Sequence, residues 1–264
     1  MTLLAVAVAG RGIVDPATPV FFADDEALLR GAAAFETVRI RRHRPVFLRA
    51  HAARLASSAR SLRLPAPEGI ERLVELAVAE AGCEAGVVRL FRTERTLLAT
   101  VGALPSELES MRARGIAIVT VRSNHSALLT GVKATSYATA LASVAEAQRL
   151  GADDALYLGE GEIVLEATMA NIWWRDEDVL STPALATGVL PGVTRAALAR
   201  LAQEAGYRVR EGAFTLSALL RAEEAFTSSA VREVMPVIAI DGHEIPRGEA
   251  AERLQALLAA STDE

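Results

Sequence analysis

Short apolar runs alternate with segments of helical periodicity along the whole chain, and a polar, charged stretch at 105–114 cuts the succession in two. This alternation constrains the chain to mixed α/β units. Apolar runs of about four to eight residues read as strands, and apolar residues recurring every three or four positions form one face of a helix. In the first half, 2–9, 35–40, 44–48, 86–91 and 97–103 read as strands, with turns at 10–15 and 41–43. Helices are expected at 50–61, where Leu55, Ala59 and Leu62 share a face, and at Ile70–Ala81, which Gly82 ends. In the second half, strands are expected at 115–121, 154–158, 162–165, 171–174, 225–228 and 237–240. Helices are expected there at 137–150, 192–206, 216–221 and Ala250–Ala260, with a Thr-Pro-Ala-Leu turn at 182–185. The expected organisation is a small N-terminal α/β domain over 1–110 and a larger domain over 111–264.

Composition narrows the partners. The 264 residues are 51% hydrophobic and 23% charged, which excludes a mostly disordered chain. The weakly acidic balance, a net charge of −5, argues against a nucleic-acid partner. One cysteine, Cys83, leaves no intrachain disulfide and no cysteine-based zinc site, and fits a reducing cytoplasm. The apolar start at 1–10 lacks a basic leader and reads as a buried strand rather than a signal peptide. No apolar run reaches the ~18 residues of a membrane span. His43, His125 and His243 show no ligand spacing and read as turn residues, so no metal is expected.

The cations are unevenly chosen. Of the 28 Lys and Arg residues, only Lys133 is a lysine. About one residue in five is alanine, so codon bias accounts for much of this. A surface lysine exchanges for arginine at little cost, but an amine that forms an imine does not, because guanidinium stays protonated. Lys133, between a strand and a helix, is therefore a nucleophile candidate, with chance retention on the surface as the alternative.

Three further features accompany it. Glu166 ends a strand, followed by small residues, and needs a cationic or hydrogen-bonding partner: a pyridinium nitrogen or an ordinary arginine. Leu190-Pro191-Gly192-Val193-Thr194-Arg195 opens a helix whose free N–H groups and threonine hydroxyl suit a phosphate, as any capped helix start does. His51 and Arg54 lie three apart on one helical face, where Arg54 binds an anion or simply faces solvent. An amine, a carboxylate, a helix N-terminus and an arginine are together the parts that hold pyridoxal 5'-phosphate.

With these parts in place, the sequence resembles the class IV aminotransferase family. The likeness runs through Arg30-Gly31, Phe35-Glu36-Thr37-Val38-Arg39, His51-x-x-Arg54-Leu55, Gly131-Val132-Lys133, Glu166-x-x-x-Ala170-Asn171, Thr182-Pro183, Gly188–Arg195 and Phe226 to Pro236-Val237. The resemblance implies the two-domain α/β fold of D-amino acid aminotransferases with the cofactor in the interdomain cleft, and a homodimer. It implies that Lys133 forms the imine and shuttles the proton, and that Glu166 pairs with the pyridinium nitrogen. It further implies that Arg54 and Val193-Thr194 hold the phosphate, with Ser229-Ala230 completing the cup. Ala230 stands where family members often carry threonine, so a backbone N–H replaces a hydroxyl there.

Within the family, Phe35-Glu36-Thr37 and Ser229–Pro236 look most like aminodeoxychorismate lyase, which gives 4-aminobenzoate and pyruvate for folate synthesis. Phe35, Thr37 and Arg92 are the substrate-binding candidates. Ser136 departs from the lyase pattern, which usually has asparagine three residues after the lysine. An aminotransferase acting on branched-chain or D-amino acids or on amines is the alternative. After Arg92 the chain runs Thr93-Glu94-Arg95-Thr96-Leu97, without the downstream Arg-x-His pair usual in the D-amino acid branch.

Overall fold

The computed structural model describes residues 2–122 and 129–261, and the chain divides into two compact units. The first takes in the chain up to Ser106 together with Val132–Tyr137, and the second takes in Glu107–Gly131 and the chain from Ala138 onward.

In the first unit the elements are β1 (Leu3–Val8), β2 (Gly12–Val14), α1 (Glu26–Arg30), β3 (Ala34–Arg41), β4 (Arg44–Pro45), α2 (Leu48–Ser61), α3 (Ile70–Ala81), β5 (Gly86–Arg92) and β6 (Leu97–Gly102). The strands form one antiparallel sheet in the order β2-β1-β6-β5-β3-β4. β3 alternates: Ala34, Glu36, Val38 and Ile40 are buried, while Phe35, Thr37, Arg39 and Arg41 are half-buried. The inward set packs with Leu55, Val74, Ala77, Val88 and Leu90 into a single core, so α2 and α3 cover that face. Glu36 is the one inward residue of β3 that is not apolar.

Two expectations change in this unit. The 10–15 turn contains β2, which adds an edge strand to β1. The strand expected over 44–48 stops at Pro45, because Phe47 adopts a left-handed backbone (φ 54°) and α2 begins at Leu48. His43 lies in the β3–β4 turn with φ 62°, as a turn residue.

The second unit contains α4 (Leu108–Arg114), β7 (Ile116–Arg122), α5 (Ala138–Arg149), β8 (Asp154–Leu158), β9 (Val164–Ala167), β10 (Asn171–Asp176), β11 (Val179–Pro183), α6 (Val193–Glu204), β12 (Arg208–Gly212), α7 (Leu216–Leu219), β13 (Glu224–Ser229), β14 (Glu233–Ile240), β15 (His243–Glu244) and α8 (Ala250–Ala260). Its mixed sheet runs β12-β11-β10-β13-β14-β7-β8-β9, with β15 on β14. Trp173, Trp174, Phe226, Ile172 and Leu180 are its largest fully buried side chains from the β10–β13 region.

Here the polar stretch at 105–114 is in part a helix. α4 buries Leu108, and Arg112 reaches the carbonyls of Arg232 and Val234. The Thr-Pro-Ala-Leu turn begins inside β11: Thr182 is buried and its hydroxyl donates to the Ile172 carbonyl at 2.8 Å. β12, unforeseen, is a polar edge strand whose Arg-Val-Arg-Glu-Gly sequence has no apolar run to signal it. β14 starts before 237 and runs through Pro236; β7 joins it only from Val237, so the missing proline N–H removes no bond on that side. His243 lies on β15 with its Nε2 against the Leu220 carbonyl, and His125 lies outside the described residues.

Leu55 is fully buried between α2 and the first sheet. Leu55→Ala is expected to destabilise the first unit by about 2–5 kcal/mol, seen as a lower urea midpoint.

Candidate active site

Lys133 lies in the segment that joins the first unit. Its carbonyl accepts from Phe35 N–H at 3.0 Å, and Thr135 N–H donates to the Ala33 carbonyl at 2.9 Å, so 133–135 pair with the start of β3. Lys133 N–H donates to Ser58 Oγ on α2 at 3.0 Å. Thr135 and Ser136 hydroxyls both donate to the Gly31 carbonyl, at 2.8 and 3.0 Å. Ser136 thus has a local structural role at the position where the lyase pattern has asparagine. With the backbone fixed, the Lys133 Nζ lies 4.5 Å from the centroid of the Phe35 ring and 5.8 Å from that of Tyr137. Phe35 in turn stacks on Phe91 and meets Tyr137 edge-on at 5.2 Å. The amine therefore sits in an aromatic corner, where ring faces favour a cation.

Directly behind this corner is a buried charge cluster. Glu36 Oε1 accepts from Arg54 Nε at 2.7 Å, and Oε2 accepts from Arg54 Nη2 at 2.8 Å and lies 2.7 Å from His51 Nδ1. Glu36 and His51 are buried, which corrects the solvated-face reading of the His51–Arg54 pair. Burial alone would raise the Glu36 pKa; hydrogen bonds and charge from Arg54 and His51 outweigh it and lower the pKa from 4.5 to about 2. A guanidinium carries five N–H donors, so bidentate pairing with Glu36 is compatible with holding an anion.

The substrate candidates separate. Phe35 is against Lys133, and Thr37 is half-buried two residues on, on the same face of β3. Arg92 instead directs its Nε to the Pro65 carbonyl at 2.8 Å, and burial lowers its pKa against the opposing pull of Glu68.

In the second unit, Glu166 on β9 is held at both oxygens. Leu190 N–H lies 3.1 Å from Oε1 and from Oε2, and Asn171 Nδ2 donates to Oε2 at 3.0 Å. Asn171 Nδ2 also donates to the Leu190 carbonyl at 3.1 Å. Two residues on, Gly192 is the N-cap of α6 and offers no capping side chain; Val193 and Thr194 form the first turn. Gly192 has an ordinary φ of −63°, so the glycine is required by space: a Cβ there would sit 2.0 Å from Asn171 Oδ1. The turn after β13 is fastened as well. Ser229 Oγ accepts from Arg232 N–H at 3.3 Å, and the Arg232 guanidinium pairs with buried Asp154, which also accepts from Thr168 Oγ. Ala230 sits in that turn without a hydroxyl.

These residues fit pyridoxal phosphate on their own chemistry. Lys133 supplies an amine, Glu166 an anchored carboxylate, and α6 a start whose orphan N–H groups lack a side-chain acceptor and are complemented by an anion. Glu36, Ser58, Asn171 and Asp154 were given no role from sequence. Glu36 is detectable as a charge at an inward position of an alternating strand and Asn171 as a motif residue of the resemblance; Ser58 and Asp154 carry no comparable signal.

The depressed Glu36 pKa sets a pH dependence. A carboxyl whose pKa is lowered on folding contributes stability above its unfolded value, and loses it as pH falls through the folded one. The wild-type chain is expected to lose about 3 kcal/mol from this group between pH 4.5 and pH 2. Glu36→Gln should lack that component and be destabilised near neutral pH by about 3–5 kcal/mol, because Arg54 loses its buried carboxylate partner. Urea melts of both chains across that range check this.

A model of the family described as amino-transferase class IV matches residues 33–240. The bifunctional aminodeoxychorismate lyase / D-amino acid transaminase of Mycobacterium tuberculosis is 28% identical over 94% of this chain and 96% of its own. The aminodeoxychorismate lyase of Bacillus subtilis is 27% identical over 88% of this chain and 86% of its own. A solved structure described as a hypothetical aminotransferase from Mycobacterium tuberculosis, in its PLP-bound form, superimposes with a TM-score of 0.91 and 28% identity, covering 97% of this chain and 98% of that one. The chain therefore belongs to the class IV aminotransferase family and is a pyridoxal-phosphate-dependent enzyme.

Proposed function

We propose that the enzyme is a 4-amino-4-deoxychorismate lyase, releasing 4-aminobenzoate and pyruvate for folate-precursor synthesis. The observation that carries the reading is the β3 face beside the amine: Phe35, against Lys133 Nζ, followed on the same side by the Thr37 hydroxyl. The lyase names of two relatives that align over most of this chain support it. The proposal includes a cytoplasmic homodimer; no helix among the described residues is long and apolar enough to cross a membrane.

Bound pyridoxal phosphate supplies an aldehyde carbon for the substrate amine and a protonated ring that accepts an electron pair. Arg54, the Val193-Thr194 turn and the Ser229-Ala230 turn bind its phosphate. Glu166, fixed by Leu190 N–H and Asn171, holds the proton on the ring nitrogen. Lys133 Nζ removes the substrate proton on the carbon that bears the amine, as a general base. Phe35 presents a flat apolar face to the six-membered ring, and Thr37 offers a hydrogen bond to the substrate's oxygens. Arg92, with its Nε donating to the Pro65 carbonyl and its register opposite Ala34 rather than Phe35, is left out of the substrate contacts. The bond from the ring to the enolpyruvyl oxygen then breaks, the enolpyruvyl group takes up a proton as pyruvate, and the ring becomes aromatic. The amine stays on the product, so no keto-acid acceptor is consumed.

An aminotransferase is the second reading, favoured by the double name of the Mycobacterium tuberculosis relative. It uses the same cofactor residues but needs an acceptor. The enzyme supplied with aminodeoxychorismate alone is expected to yield 4-aminobenzoate and pyruvate in equal amounts; product that forms only on adding a keto acid overturns the lyase reading. Lys133→Arg is expected to abolish the visible absorbance of bound cofactor and to lower turnover by about 10²–10⁴-fold, with far-UV circular dichroism unchanged.

A further inference from the structure

Asn171 is nearly fully buried on β10, and each polar atom of its side chain meets a different part of one small assembly. Its Nδ2 donates to Glu166 Oε2 at 3.0 Å and to the Leu190 carbonyl at 3.1 Å. Its Oδ1 would lie only 2.0 Å from the Cβ of any residue but glycine at 192. Leu190 closes the ring by donating its N–H to Glu166. The side chain thus ties a strand-end carboxylate to the turn that opens α6.

We propose that Asn171 is a positioning residue that aims the Glu166 carboxylate at the cofactor's ring nitrogen, with Gly192 as the gap that accommodates it. This rests on the reading of Glu166 as the partner of that nitrogen. The physical case is that a carboxylate accepting one backbone N–H still turns about its side-chain torsions. A second donor at Oε2, itself anchored on the Leu190 carbonyl, removes that freedom. The amide is suited to the task because it donates without adding charge. An aspartate of the same shape would place an anion against Glu166, draw a proton onto the pair and weaken its hold on a protonated ring nitrogen.

The test compares the affinity of the full chain, stripped of cofactor, for pyridoxal phosphate and for its 1-deaza analogue, which carries CH in place of the ring nitrogen. A general packing defect weakens both equally, whereas loss of aim at the nitrogen lowers only the preference for pyridoxal phosphate. Asn171→Ala and the isosteric Asn171→Asp are expected to lower that preference by about ten-fold or more, the size of a lost hydrogen bond to a charged group. Gly192→Ala should do the same by expelling the Asn171 side chain, and should add little to Asn171→Ala in the double variant. If Asn171→Ala fails to fold, Asn171→Asp decides. An unchanged preference in the Asn171 variants, or a fully additive double variant, overturns the proposal. Glu166→Gln separates the two levels. If it leaves the preference intact, the ring-nitrogen reading fails. If it removes the preference while the Asn171 variants keep it, only the positioning role fails.

Discussion

Lys133 is held in place through its backbone. The two main-chain hydrogen bonds to Phe35 and Ala33 extend the edge of β3 by a short bridge, and Ser58 takes the remaining amide proton. Each such bond contributes only about 0.5–1.5 kcal/mol, but together they fix the Cα from which the amine projects. An amine that moves protons needs a fixed base and a mobile tip. The bridge also favours Gly31: its φ of +68° strains any other residue, and a Cβ would lie a tight 3.1 Å from Ser136 Cα and Oγ. A turn about a hundred residues before the lysine is therefore part of what positions it.

The buried Glu36 cluster follows from the same arrangement. β3 must present Phe35 to the amine, so its neighbour Glu36 faces the core, where an unpaired carboxylate would be prohibitively unfavourable. α2 answers with Arg54 and His51, and the same helix carries Ser58. One helix thus neutralises the inward charge, holds the Lys133 amide and carries the arginine assigned to phosphate. This makes the Phe-Glu-Thr and His-x-x-Arg segments a single device: neither side of the Glu36 pairing is stable without the other.

How much of this was legible depends on whether the signal was local. The strand expected at 35–40 and the helices expected at Ile70–Ala81 and Ala250–Ala260 match β3, α3 and α8 closely, because each element buries one face. Elements stabilised by neighbours left no such mark. β12 is strand only because β11 offers it a parallel edge, and α4 reads as polar because its Arg112 serves carbonyls on β14 and the turn before it. In the site, the motif residues Lys133, Glu166 and Gly192 could be singled out, but the reason for Gly192 could not. From sequence it is only part of the turn that opens α6, whereas its local constraint is the Asn171 oxygen, a contact between residues 21 positions apart.

The single lysine gains its meaning from this geometry. Codon bias accounts for the 27 arginines but does not choose which position stays lysine. The aromatic corner of Phe35 and Tyr137 would accept a guanidinium as readily as an ammonium, since both stack on rings. The ring contacts at 133 therefore do not demand lysine, whereas the imine chemistry proposed for it does, because only an amine forms an imine. Lyase and transaminase share that demand, so discrimination between them falls to groups that meet the substrate beyond the amine. The outward face of β3 is the place to look, since each side chain there is set by a strand whose register with β5 runs unbroken from Ala34 to Ile40. On that face the Thr37 hydroxyl stands one strand repeat from the ring that flanks the amine, where the proposed lyase reading puts the substrate.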